Sequence, residues 1–122
     1  MLDRSAEKEI IPLCRELGLS FHGYMPLERG LLTGKTKADY KVQPGDARED
    51  SPLWKPDKFP EVLGFVDGLK DICEKYHCTQ PQLAVAFLLA RGSDINVICG
   101  ARRVFQIEDT ALAADVELDE SD

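Results

Sequence analysis

Two short stretches of this chain bring glycine and base together. Residues 24–35 read YMPLERGLLTGK, and Gly100-Ala101-Arg102-Arg103 reads GARR. Each follows a short apolar run, Leu19 to Tyr24 and Ile95 to Cys99, of a length and composition that suit a strand. A glycine at a strand exit lets an anion approach backbone N–H groups, and the first turn of a following helix adds a favourable dipole. Arg102 and Arg103 could each make charge-assisted hydrogen bonds worth about 1.5–3 kcal/mol to a phosphate. Lys35 could serve a second phosphate as a point charge. The same residues also have ordinary readings. Gly30 and Gly34 can be loop glycines, Lys35 a solvated lysine, and the two arginines ion-pair partners of Glu108 or Asp109. Both readings stand at this level.

Other groups that do chemistry are sparse. The two histidines are separated, His22 inside the first strand and His77 at a helix end beside Tyr76. His22 reads as a structural residue and His77 as a favourable cation at a helix C-terminus. Tyr40 has only Lys37 and Lys41 as nearby bases, which does not amount to an acid–base constellation. Cys14, Cys73, Cys78 and Cys99 lack the spacing of a metal site, so they are expected to be reduced thiols, several of them in the core. No catalytic residue and no metal ligand is predicted.

The elements that must position these residues follow from periodicity. Ile10, Leu13, Cys14 and Leu17 recur as one helical face over Glu7 to Leu17, with Gly18 placed to end it. Met25 to Pro60 has no sustained period and is punctuated by proline and glycine. It reads as a long, functional loop with at most a turn of helix at Gly30-Leu31-Leu32. A second helix spans Phe59 to Tyr76. Thr79-Gln80-Pro81-Gln82 has the form of a capping box that opens a third helix reaching Gly92. Gly100 opens a last helix that runs to about Ala114. Two strands joined through helices should be parallel, so the class is α/β, with ligands expected at the carboxyl ends of the strands.

Composition sets the outer bounds. At 122 residues, 43% hydrophobic and 30% charged, the chain is one globular domain spanning residues 1–122. Fifteen basic against 22 acidic residues give a net charge of −7, which argues against nucleic acid or an anionic membrane as the main partner. No apolar run approaches a membrane span, and the first residues do not form a signal peptide. A cytoplasmic location is expected.

The motifs in this order resemble the aldo-keto reductase family of NADP-dependent oxidoreductases, built on a TIM (β/α)8 barrel. Residues 24–35 follow the family's late strand exit, aromatic-Ser-Pro-Leu-x-x-Gly-x-Leu-x-Gly-Lys. Asp46-Ala47-Arg48 is similar to the Asp-x-Arg of the next loop, and residues 79–84 to a helix start T-x-A-Q-L-A. Ile98 through Gln106 and Asp109 are similar to the final cofactor segment. The resemblance runs from about Glu7 to Leu118 and implies a partial barrel holding the last two parallel strands with their helices. It implies NADP(H) as cofactor. Tyr24 would stack on the nicotinamide, and Pro26, Leu27 and Gly30 would line the pyrophosphate with Lys35 and Arg48 nearby. Gly100, Arg102 and Arg103 would hold the 2′-phosphate, and Gln106 and Asp109 would reach the adenine. Met25 stands where the family has a serine, and Thr110 where it has an asparagine, each with the loss of a contact.

The family's catalytic Tyr, Asp, Lys and His belong to earlier strands that have no counterpart here. The function implied is therefore the cofactor-phosphate segment of an enzyme that, when complete, reduces an aldehyde or ketone substrate to an alcohol. The alternatives are a non-catalytic nucleotide-binding or interaction module and an inactive truncated product. Two parallel strands leave both edges unpaired, so self-association through those edges is also expected.

Overall fold

A computed structural model of the chain describes residues 1–119. In chain order it has α1 (Ile10–Glu16), β1 (Phe21–Tyr24), α2 (Phe59–Lys75), α3 (Gln80–Leu89), β2 (Ile95–Ile98) and α4 (Val104–Ala111). Short 3-10 turns lie at Ser5–Glu7, Glu28–Thr33, Pro52–Trp54 and Leu112–Asp115. β1 and β2 pair in parallel, Phe21 opposite Ile95 and Tyr24 opposite Ile98. That register sets the two strand exits side by side, as the α/β reading requires.

The larger core cluster lies under the long loop and the helix pair, and a smaller one of Val85, Ala86 and Ala113 packs against Val97 of β2. α2 contributes Phe59, Val62, Val66, Leu69 and Cys73 at alternating steps of three and four, which is one face of a helix. Against them pack Leu83 and Ala84 of α3, Trp54, and the fully buried Leu31 and Leu32. Each such leucine contributes about 1.5–3 kcal/mol by leaving water. Trp54 stacks on Phe59 at 5.4 Å and meets Tyr40 edge-on at 5.5 Å, which ties the long loop to the start of α2.

Both ends of the α2–α3 corner are chemically specified. Thr79 accepts a hydrogen bond from the Gln82 backbone N–H at 3.3 Å, and Gln82 Oε1 accepts one from the Thr79 N–H at 3.0 Å. This is the expected capping box. α2 ends in a Schellman motif. Cys78 N–H donates to the Cys73 carbonyl at 3.0 Å and His77 N–H to the Glu74 carbonyl at 3.3 Å. His77 takes the left-handed position with φ 50°. A non-glycine there is strained, so His77→Gly is expected to raise stability by about 0.5–1 kcal/mol. A urea midpoint that rises without a change of slope would bear this out, and an unchanged or lower midpoint would refute it.

Three expectations are corrected. The last helix begins at Val104 and not at Gly100, so GARR is loop and not a helical first turn. The reason is Gln106, whose Oε1 accepts from Arg102 N–H at 2.8 Å and Arg103 N–H at 3.1 Å. The apolar stripe of α1 is not buried: Ile10, Leu13 and Leu17 are 51, 50 and 61% exposed, while Ile11 packs inward. Its partner surface is not among the described residues. His22 is exposed on β1 and has no side-chain partner among the described residues, so it is not a satisfied structural histidine. Gly18, by contrast, ends α1 as the sequence indicates, with φ 66° and the Leu19 N–H bonded to the Cys14 carbonyl at 2.8 Å.

Candidate functional site

The site is built where β1 and β2 end. Tyr24 is 71% exposed and Ile98, its register partner, 55% exposed. Beyond Tyr24 the backbone bends through an unusual run of left-handed residues: Met25, Glu28 and Arg29 have φ of 51°, 47° and 55°, and Gly30 has 102°. Three non-glycine residues held in this region within a few positions store strain of about 1–3 kcal/mol each, which persists only where the surroundings over-determine it. The determinants are visible. Pro26 is buried, Glu28 N–H donates to the Met25 carbonyl and Gly30 N–H to the Leu27 carbonyl, both at 2.9 Å. Leu31 and Leu32 then fix the turn to the core.

Gly34 closes this turn with φ 67°. A Cβ there would lie 1.6 Å from Gln80 Oε1, so the α3 side chain occupies the space that glycine leaves. Gly34 is thus a close-packing glycine and not part of an anion cradle. Gly30 and Gly100 differ, because a Cβ on either would meet nothing within 4 Å. Those two strand-exit backbones are open to an approaching group.

The cationic residues divide into free and engaged. Lys35, Arg102 and Arg103 are exposed, and none of their side chains has a hydrogen bond or ion pair among the described residues. Arg48 is committed within the long loop. Its guanidinium lies over Tyr40 at 5.3 Å and Trp54 at 5.2 Å, donates to the Tyr40 hydroxyl and pairs with Asp46 at 3.2 Å. Tyr40 therefore has Arg48, and not a lysine, as its basic neighbour. Asp109 is engaged too, accepting from Gln82 Nε2 at 2.9 Å and from the Thr79 hydroxyl at 3.3 Å. It couples α4 to the cap of α3. Thr110 is buried and donates to the Gln106 carbonyl at 2.9 Å.

A cavity of about 470 Å³ opens beside β1, lined in part by Tyr24, Met25, Glu28 and Arg29, with Asp50 and Ser51 of the long loop. Neither GARR nor Lys35 reaches it, so the two halves of the site meet through strand pairing and not through one enclosed pocket. Sequence reasoning passed over two residues here. Arg29 Nη1 donates to the Ala47 carbonyl at 2.9 Å and fastens the long loop to the strand exit. Glu28 sits half-buried, and burial holds its carboxyl above the ordinary value. No periodicity marks either one: Arg29 is fixed by a loop folding back from 18 positions away, and Glu28 lies in the field of Asp3 and the N-terminus.

The carboxyl ends of parallel strands, here one strained and one basic, are where open and barrel-type α/β sheets generally bind their ligands. The aldo/keto reductase family model matches residues 1–122, and the chain belongs to that family. It is 34% identical over its whole length to the NADH-specific methylglyoxal reductase of Escherichia coli (strain K12), of which it covers 37%. It is likewise 34% identical over 92% of its length to the aldo-keto reductase yakc [NADP(+)] of Schizosaccharomyces pombe, covering 33% of that protein. The solved glycerol dehydrogenase of Gluconobacter oxydans superposes with a TM-score of 0.82 at 28% identity, over 89% of this chain and 34% of that one. The chain thus spans about a third of the length of these relatives. The α/β arrangement with two parallel strands is consistent with the partial barrel that the sequence implied.

Proposed function

We propose that this chain is the cofactor-phosphate-binding segment of a nicotinamide-dependent oxidoreductase that interconverts an aldehyde or ketone and an alcohol, with NADP(H) preferred over NAD(H). The observation that carries the reading is the pair of free guanidiniums, Arg102 and Arg103, on the exit next to the exposed ring of Tyr24. The residues fit such a group: Gly30 and Gly100 leave open backbone, and Lys35 adds an unpaired cation. The cofactor supplies a hydride when bound. This chain's part is to hold the phosphates and to present the Tyr24 ring to the nicotinamide. Protonating the carbonyl oxygen needs an acid at the nicotinamide; Tyr40 is held by Arg48 within the long loop and His22 has no side-chain partner among the described residues, so we assign the acid to the rest of a complete enzyme.

The relatives bracket the cofactor question, one being named NADH-specific and another NADP(+). Fluorescence titration of the purified chain with NADPH and NADH, its folding checked by circular dichroism, tests the proposal. Saturable binding with NADPH favoured is the expected result. A folded chain that binds neither, or both equally, would sink it.

A second reading, an interaction module that self-associates, is favoured by the exposed apolar stripe of Ile10, Leu13 and Leu17 together with Leu19. Size-exclusion chromatography showing only a compact monomer would remove it. No described helix is long and apolar enough to cross a membrane. The four free cysteines favour a reducing, cytoplasmic setting.

A further inference from the structure

The two thiols that close the end of α2 lie outside the strand exits and play no part in the proposed function. Cys73 is the third residue from the end of α2, and Cys78 is where the chain returns past the left-handed His77. Their backbones are joined by the Cys78 N–H to Cys73 carbonyl bond of 3.0 Å. They are the two positions of the Schellman motif whose side chains characteristically meet, and both pack in the same core cluster. Cys73 is 8% exposed, whereas Cys78 packs against the same core but is partly open to solvent. A disulfide needs adjacent backbones and converging Cβ vectors. A reverse turn bridged by its own hydrogen bond brings the backbones together, and the side chains at these two positions of the motif turn toward one another over the same cluster.

We propose that Cys73 and Cys78 are a dithiol–disulfide pair, oxidised in place by a low-molecular-weight disulfide. Cys78, as thiolate, attacks one sulfur of the small disulfide, breaks its S–S bond and releases one thiol. Cys73 then loses its proton, attacks the Cys78 sulfur of the mixed disulfide and expels the second thiol. The protein gives up two protons and two electrons, and the small disulfide takes up both. Burial pushes the Cys73 thiol up to about 11 and raises Cys78 as well, so the exposed Cys78 is the point of entry and mildly alkaline buffer speeds the exchange. Cys99 is not a competitor, since it packs against the separate cluster of Val85, Ala86 and Ala113.

Closure would fix the residue just before Thr79, whose side chain caps α3 and touches Asp109 of α4. Oxidation would therefore tighten the corner that α2, α3 and α4 share.

The test is equilibration of the chain with mixtures of oxidised and reduced glutathione, in native buffer and in concentrated urea. Intact mass and peptide mapping are the readouts. A loss of two hydrogens mapped to Cys73–Cys78 is expected, with an equilibrium constant about tenfold or more larger in native buffer than in urea. Equal constants in the two solvents, a persistent glutathione adduct on Cys78, or a bond to Cys14 or Cys99 would overturn the proposal. Cys78→Ser should abolish the loss of two hydrogens and a Cys14→Ser, Cys99→Ser double variant should keep it; the reverse pattern counts against the pair.

Discussion

Leu31→Ala is expected to cost about 3–4 kcal/mol, and Leu13→Ala less than about 0.5 kcal/mol, although both delete the same atoms. Leu31 is 0% exposed and touches the cluster of Trp54, Phe59, Val62 and Leu83, so alanine there leaves a cavity as well as losing burial. Leu13 is 50% exposed on the unpartnered face of α1. A loss of that size is a large fraction of the roughly 5–15 kcal/mol that holds a domain together. It also reaches the site, because Leu31 follows directly on the left-handed run that shapes the strand exit. Urea titrations of the two variants beside the parent decide the matter. Equal costs would mean that the turn at Glu28–Thr33 is not seated in the core as described.

That pair of leucines also marks what could be read in advance. Leu13 lies on a clean helical period, which a sequence shows, and yet it is exposed. Leu31 sits in a loop without period and is among the most buried residues of the chain. Periodicity reports which face of an element is apolar, not whether a partner surface lies within reach. The elements themselves were legible for that reason: α2 and the capping box of α3 are local patterns, and both form as expected. The strand exits were legible through glycine and base. What stayed hidden required the loop to fold back. Arg29 reaching Ala47, Arg48 lying between Tyr40 and Trp54, and Gln80 covering Gly34 are contacts between residues that no local rule connects. The late start of α4 was missed for a different reason. A glutamine at position 106 can cap two backbone N–H groups, and that choice depends on rotamer rather than composition.

Arg102→Glu should weaken NADPH by about a hundredfold and NADH by less than about threefold. Losing a charge-assisted hydrogen bond costs about 1.5–3 kcal/mol, and each 1.4 kcal/mol is a factor of ten. The reversed charge adds repulsion that only the extra phosphate of NADPH feels. Such discrimination is possible because the Arg102 side chain has no partner among the described residues, so its guanidinium can turn to a ligand without breaking a contact with them. Its backbone is meanwhile held by Gln106, which keeps the arginine at the strand exit. Lys35→Glu serves as the comparison. If Lys35 faces the pyrophosphate common to both cofactors, its reversal weakens NADPH and NADH alike. The salt dependence should agree, since each additional phosphate contact steepens the loss of affinity with ionic strength. Equal effects of Arg102→Glu on the two cofactors would mean that this arginine does not see the 2′-phosphate. The preference for NADP(H) would then have no residue to rest on, and the chain would side with its NADH-specific relative.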